Sequence, residues 1–221
     1  MAADAALLEQ AKRVLYTAVL SDVLDGLGHR HQAMRPSVRP LDDTLMLFGR
    51  ARTGIYMDVY HVDPAVNPYE LEIRLIDDLK PGEVAVLACG TSGRIAPWGE
   101  LLTTASRARG AAGCVTDGLC RDLRLIREMR FPVFCGGIGP LDSKGRGMVM
   151  AIDVPVETGG VHVAPGDLVV GDVDGVIVVP KAVEVEALRL AIEKVAAEDT
   201  TRKELEAGAL LADVFKRHGV L

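Results

Sequence analysis

KPGEVAVLACGTSGRIAPWGELLTTASRARGAAGCVTDGLCRDLRLIREMRFPVFC, residues 80–135, is the stretch whose reading decides the fold. Lys80-Pro81-Gly82-Glu83 is a turn, and the apolar run 84–89 behind it has the length of a buried strand. Residues 99–109 carry helical spacing and stop at Gly110; residues 113–116 are a short buried strand; residues 121–129 are helical again; residues 132–135 return as strand. Strands alternating with helices of this size argue for an α/β protein, because each helix must cover one face of the sheet it connects.

Working outward, residues 67–79 read as a helix with Pro68 in its first turn, and residues 48–60 alternate as a strand. The proline-bearing segment 29–43 reads as a loop. Residues 5–27 place Leu7, Leu8, Ala11, Val14, Leu15, Val19, Leu24 and Leu27 on one helical face. Ser21-Asp22 suits a cap better than a helix interior, so two consecutive helices are expected, the second starting near Ser21 and ending at Gly28. Downstream, the glycine-rich segment 136–147 predicts a long ordered loop. Residues 148–163 and 167–179 read as β-structure, with Asp174-Gly175 as a hairpin turn. Residues 181–217 predict a long C-terminal helix and, after Gly208, a short final one. The expected architecture is one domain over residues 1–221: an α/β layered sandwich whose central β-structure is flanked by helices at about 5–27 and about 181–218.

A hydrophobic fraction of 49% with 25% charged residues describes a folded globular chain with a core of Val, Leu, Ile and Ala. The net charge of −6 argues against nucleic acid as a partner, since phosphate binding needs clustered Lys and Arg. Residues 1–20 mix charges with alanines and leucines, unlike an export signal, and no run of about 18 uncharged apolar residues predicts a membrane span. A cytoplasmic protein with no membrane partner is the expectation. Cys89, Cys114, Cys120 and Cys135 lack the spacing of zinc or redox motifs and read as reduced structural thiols.

Chemistry concentrates at Gly99-Glu100-Leu101-Leu102 and at Asp117-Gly118-Leu119-Cys120-Arg121-Asp122. If Gly99 opens a helix, the unpaired amides of the first turn make an anion site suited to a carboxylate. Arg121 can fork onto a carboxylate or enolate oxygen with two parallel hydrogen bonds, and Asp122 offers a hard oxygen ligand to a divalent ion, Mg²⁺ foremost and Mn²⁺ as an alternative. The competing reading is a polar first helical turn, with Asp122 favourable to the helix dipole and Arg121 solvated. Gly136-Gly137-Ile138-Gly139 lacks a dinucleotide fingerprint, and Lys144 sits in a loop too exposed for a Schiff-base lysine.

Glu100-Leu101-Leu102, Asp117-Gly118, Arg121-Asp122, Gly139-Pro140, Pro165-Gly166-Asp167 and Asp174-Gly175-Val176 together, in this order, resemble the RraA-like family over roughly residues 15–221. That family holds metal-dependent 4-hydroxy-4-methyl-2-oxoglutarate and 4-carboxy-4-hydroxy-2-oxoadipate aldolases, which also decarboxylate oxaloacetate, and regulators that inhibit ribonuclease E. The resemblance implies a swivelling β/β/α fold and a pyruvate lyase working through a metal-stabilised enolate, with a non-catalytic protein-binding regulator as the alternative. It implies that the amides of Gly99, Glu100, Leu101 and Leu102, with Arg121, hold the pyruvate moiety of a small 2-oxo acid, and that Asp122 holds the ion. Glu100 would lie near the ion, and Glu198, from a neighbouring subunit of a homotrimer or hexamer, is the candidate for a second glutamate there. One departure is visible: the aldolase pattern prefers an acid three residues after the aspartate, where this chain has Leu125, with Glu128 a further turn along.

Overall fold

The computed structural model describes residues 3 and 5–219. Helices α1 (Ala5–Val14) and α2 (Thr17–Gly26) lead into β1 (Arg39–Pro40), β2 (Leu47–Asp58), α3 (Glu70–Asp77) and β3 (Glu83–Ala88). Then come α4 (Glu100–Ala108), β4 (Gly113–Cys120), α5 (Leu123–Met129) and β5 (Val133–Ile138). Strands β6 (Gly147–Ile152), β7 (Val156–Thr158), β8 (Val161–Val163), β9 (Leu168–Asp172) and β10 (Gly175–Val179) precede α6 (Glu184–Glu206) and α7 (Leu211–His218).

The main sheet runs β1-β5-β4-β3-β2-β9-β10, with β6 also on β2. Its middle, β2 to β5, is parallel, as βα connections require, and the remaining pairings are antiparallel. The 12-residue β2 joins the halves: its first residues pair with β9 and its last with β6. The segment between α2 and β1 brings the outer strands together, since Met34 donates to Val176, Val178 donates to Gln32, and Arg39-Pro40 pairs with β5. The result is a nearly closed sheet flanked by helices, more curved than a flat layer.

Alternation within apolar strands separates the cores. Val84 and Val86 of β3, Val169 of β9, and Val176 and Val178 of β10 face the inside of the curved sheet, which the β7–β8 hairpin helps fill with Val156, Val161 and Val163. Ala85 and Leu87 point the other way, toward Leu75, Ile76, Trp98 and Ile126 under α3 and α5. Leu168, Val170, Ile177 and Val179 pack on α1, α2 and α6. A strand covered on both faces reads as a continuous hydrophobic run, which is why these strands stand out in the sequence.

Three expectations need correction. The first two helices divide at Leu15-Tyr16 rather than at Ser21-Asp22. Tyr16 is extended, and the first turn of α2 is capped from afar: the Asp172 carboxylate accepts from Thr17 N at 2.8 Å and Thr17 Oγ1 at 2.7 Å. The hairpin turn is Val173-Asp174, one residue earlier than expected, because Asp172 Oδ1 also accepts from Asp174 N at 2.9 Å. Finally, β4 runs past Asp117-Gly118 to Cys120 through a bulge after Thr116, whose Oγ1 accepts from Gly118 N at 3.0 Å. Arg121 and Asp122 therefore precede α5 instead of forming its first turn.

Candidate active site

Three chain segments meet where the parallel strands end. Arg121 follows β4, and its backbone N–H donates to Trp98 O at 3.0 Å, tying the end of β4 to the residue before Gly99. Asp122 adopts a left-handed conformation, φ 61° and ψ 30°, which Asp tolerates better than most residues. That twist ends β4 and starts α5.

Gly99 is the N-cap of α4, and its lack of a side chain decides the geometry. A Cβ there would lie 2.8 Å from Asp122 Oδ2 and 3.1 Å from Arg121 Cγ. This close approach lets Asp122 Oδ2 accept from Glu100 N at 3.2 Å, so Asp122 caps α4 across the cleft rather than its own helix. Leu101 and Leu102 occupy the next first-turn positions, whose amides have no acceptor four residues earlier. The sequence-predicted Gly99, Glu100, Leu101, Leu102, Arg121 and Asp122 all line one cleft of about 340 Å³.

Arg121 is held loosely. Its Nε lies 3.8 Å from Asp122 Oδ2 and a terminal nitrogen lies 3.5 Å from Asp142 Oδ1, both beyond good hydrogen-bond length. The guanidinium is partly exposed and free to fork onto an incoming anion. Asp122 Oδ1 has no protein partner among the described residues, and Glu100 Oε1 accepts from Thr104 Oγ1 at 2.8 Å.

The same cleft contains residues the motifs did not indicate: Tyr69, Glu72, Asp142 and Ser143. Tyr69 donates to Asp142 Oδ2 at 2.5 Å; burial and that bond push its hydroxyl up to about 12, so it stays a donor at neutral pH. Burial also raises Glu72 above the usual carboxylate range, against the opposing effect of the Tyr56 hydroxyl that donates to it at 2.6 Å. These residues come from the start of α3 and the loop after β5. Only the placement of tyrosine and acid in segment 67–79, on a helix beside the site, could have hinted at them.

Glu198 does not line this cleft. It lies on α6, where it accepts from the Tyr16 hydroxyl and pairs with Lys194. Leu125 is on the exposed side of α5 and is likewise outside the lining. The four cysteines are all buried and free, as expected. No described helix is long and apolar enough to cross a membrane.

Comparison with known proteins identifies the chain's relatives. The family described as RraA-like, Aldolase/RraA, matches residues 17–178, which include every cleft residue named above. A Halalkalibacterium halodurans protein named "Putative 4-hydroxy-4-methyl-2-oxoglutarate aldolase" is 33% identical over 193 residues, 87% of this chain and 86% of its own. A crystal structure of an uncharacterized Pseudomonas syringae protein superposes with a TM-score of 0.84 at 26% identity, covering 97% of this chain and 98% of that one. Streptomyces coelicolor RraAS2, described as an unusual member of the RNase ES inhibitor RraA protein family, superposes with a TM-score of 0.80 at 30% identity, covering 91% of this chain and 98% of that one. With the motifs, the sheet order and these matches in agreement, the chain belongs to the RraA-like family.

Proposed function

We propose that this protein is a divalent-metal-dependent lyase that cleaves 4-hydroxy-2-oxo acids to pyruvate, with oxaloacetate decarboxylation as a side activity. The observation that carries the reading is the convergence of a loosely held guanidinium, a carboxylate oxygen without a protein partner, and the first-turn amides of α4 on one cleft. The aldolase name of the Halalkalibacterium relative supports the same reaction class.

The donor set suits a hard cation. Asp122 offers Oδ1, and Glu72, Glu100 and Asp142 add carboxylates to the same lining. Mg²⁺ ordinarily takes one or two carboxylates and keeps several waters, and Asp122 with one neighbour of this lining would meet that need. When bound, Mg²⁺ or Mn²⁺ supplies Lewis-acid polarisation of the 2-oxo group.

The chain's own groups do the rest. Arg121 and the amides of Leu101 and Leu102 hold the substrate carboxylate. Glu100 stands at the mouth to receive the proton of the 4-hydroxyl. As the C3–C4 bond breaks, its electron pair stays on C3 and spreads to the 2-oxo oxygen, where the Arg121 guanidinium stabilises the growing charge. Protonation of C3 then yields pyruvate. In the same proposal copies of the chain associate as a homotrimer or hexamer, bringing Glu198 of a neighbouring copy toward the cleft to orient the transferred proton.

The test is pyruvate release from a panel of 4-hydroxy-2-oxo acids and oxaloacetate, before and after chelation with EDTA. Chelation should lower turnover roughly 100-fold or more, with rescue by Mg²⁺ or Mn²⁺. Full activity after thorough chelation would reject the metal. The similarity to the Streptomyces RNase ES inhibitor relative favours a second reading, a protein-binding regulator, which absence of turnover on every substrate would support.

A further inference from the structure

Two carboxylates flank Arg121, yet neither reaches it at good hydrogen-bond length: Asp122 Oδ2 stops 3.8 Å from Nε, and Asp142 Oδ1 stops 3.5 Å from a terminal nitrogen. Each carboxylate is committed to another donor. Asp122 Oδ2 accepts from Glu100 N at 3.2 Å, and Asp142 Oδ2 accepts from the Tyr69 hydroxyl at 2.5 Å. An aspartate this near a guanidinium closes on it unless something holds it back, since a charge-assisted bond is roughly twice as strong as a neutral one.

Asp142 is held at three of its atoms. Its main-chain oxygen accepts from the Arg146 guanidinium at 3.2 Å, its Oδ1 accepts from Ser143 N at 2.9 Å, and its Oδ2 takes the Tyr69 hydroxyl. The main chain beside it is fixed as well, because the carbonyl of the buried Ser143 accepts from Arg146 N and Gly147 N, both at 2.8 Å. The rotation of the carboxylate is then left to Tyr69. Tyr69 is anchored at the start of α3, where Asn67 Oδ1 accepts from its backbone N–H at 3.1 Å. Its hydroxyl, pushed up to about 12 by burial and by the bond to Asp142, keeps its proton and goes on donating through the neutral range.

Resting on the lyase reading above, we propose that Tyr69 is a positioning residue: by holding the Asp142 carboxylate back from Arg121, it keeps the guanidinium free for the carboxylate of the 2-oxo acid. Tyr69 acts through Asp142 and not on the reacting atoms. Without its hydroxyl, Asp142 Oδ2 loses its partner, and Arg121, 3.5 Å from the other oxygen, is the donor at hand. An Asp142–Arg121 pair closed in this way competes with the substrate carboxylate. Such competition weakens the ground state and the transition state alike, so it raises KM and leaves kcat in place.

The experiment uses Tyr69→Phe, which deletes one oxygen and keeps the ring. With Mg²⁺ present, KM for oxaloacetate should rise about tenfold while kcat stays within about twofold of wild type. The dissociation constant of pyruvate, read by titration calorimetry, should rise by the same factor. Tyr69→Phe/Asp142→Asn replaces the competing anion with a neutral amide and should recover most of the lost affinity. A loss confined to kcat overturns the positioning role, as do an unchanged KM and an unchanged pyruvate affinity. A double variant that binds no tighter than Tyr69→Phe overturns the route through Asp142. All of these leave the lyase reading intact, since the wild type still turns over. A wild type that binds pyruvate but releases none from oxaloacetate or any 4-hydroxy-2-oxo acid overturns the lyase reading, and the pyruvate dissociation constants then decide the role of Tyr69. Neither turnover nor pyruvate binding overturns both together.

Discussion

The two ends of the main sheet treat charge in opposite ways. At the β9–β10 end, polar groups are buried and fully engaged: Asp172 accepts three hydrogen bonds, and Arg50 grips the completely buried Glu184 with both terminal nitrogens while one of them also reaches Gly166 O. At the other end, where β3, β4 and β5 finish, Arg121 stands 3.5 and 3.8 Å from its two carboxylates and is half open to water. A buried ion pair in close contact fixes structure, because separating it leaves a charge stranded in a medium that solvates it poorly. An incompletely paired one keeps its capacity for a ligand. Stability and chemistry are thus lodged at separate ends, and substitutions should separate them.

The largest effect is expected at the open end. Arg121→Ala should lower kcat/KM for pyruvate release by about 10³-fold, with a melting temperature close to wild type; equal turnover by the two proteins would remove Arg121 from the mechanism. At the closed end, Arg50→Met strands Glu184 and should cost about 3 kcal/mol of stability. Urea titration reads that loss, and activity per folded molecule should be unchanged. Gly99→Ala brings a methyl into Asp122 and Arg121 and should reduce kcat/KM by roughly 100-fold, while circular dichroism shows α4 intact. The smallest effect is that of Asp172→Ala, which uncaps α2 and loosens the β9–β10 turn for about 1–2 kcal/mol. Thermal unfolding checks it, and a fall in activity of the folded variant would show that the two ends are coupled after all.

The open end of this division was legible in the sequence; the closed end was not. The strands at 84–89 and 113–116 and the helix at 99–109 announced themselves by apolar runs and glycine stops, and Arg121-Asp122 by following a strand. The motifs also identified the Gly99 turn, whose amides must lack helical partners by position alone. What stayed hidden depends on contacts between distant segments. The break before Thr17 is made by Asp172, 155 residues away, and no local signal at Leu15-Tyr16 reveals it. Tyr69 and Asp142 reach the cleft only because α3 and the loop after β5 converge there, and their mutual hydrogen bond spans 73 residues. The two-residue β1 reads as loop because Arg39-Pro40 has no periodicity to show; its strand character comes wholly from its neighbour β5.

The segment that joins β10 to β5 closes the flanks of the main sheet to a foreign strand. A sheet left open at its flank offers a row of unused amides and carbonyls on which a foreign strand can grow. Here Gln32 and Met34 occupy that row on β10, and Arg39-Pro40 occupies it on β5, with a proline that cannot donate. Along this seam, runaway fibre-like stacking through the backbone is blocked.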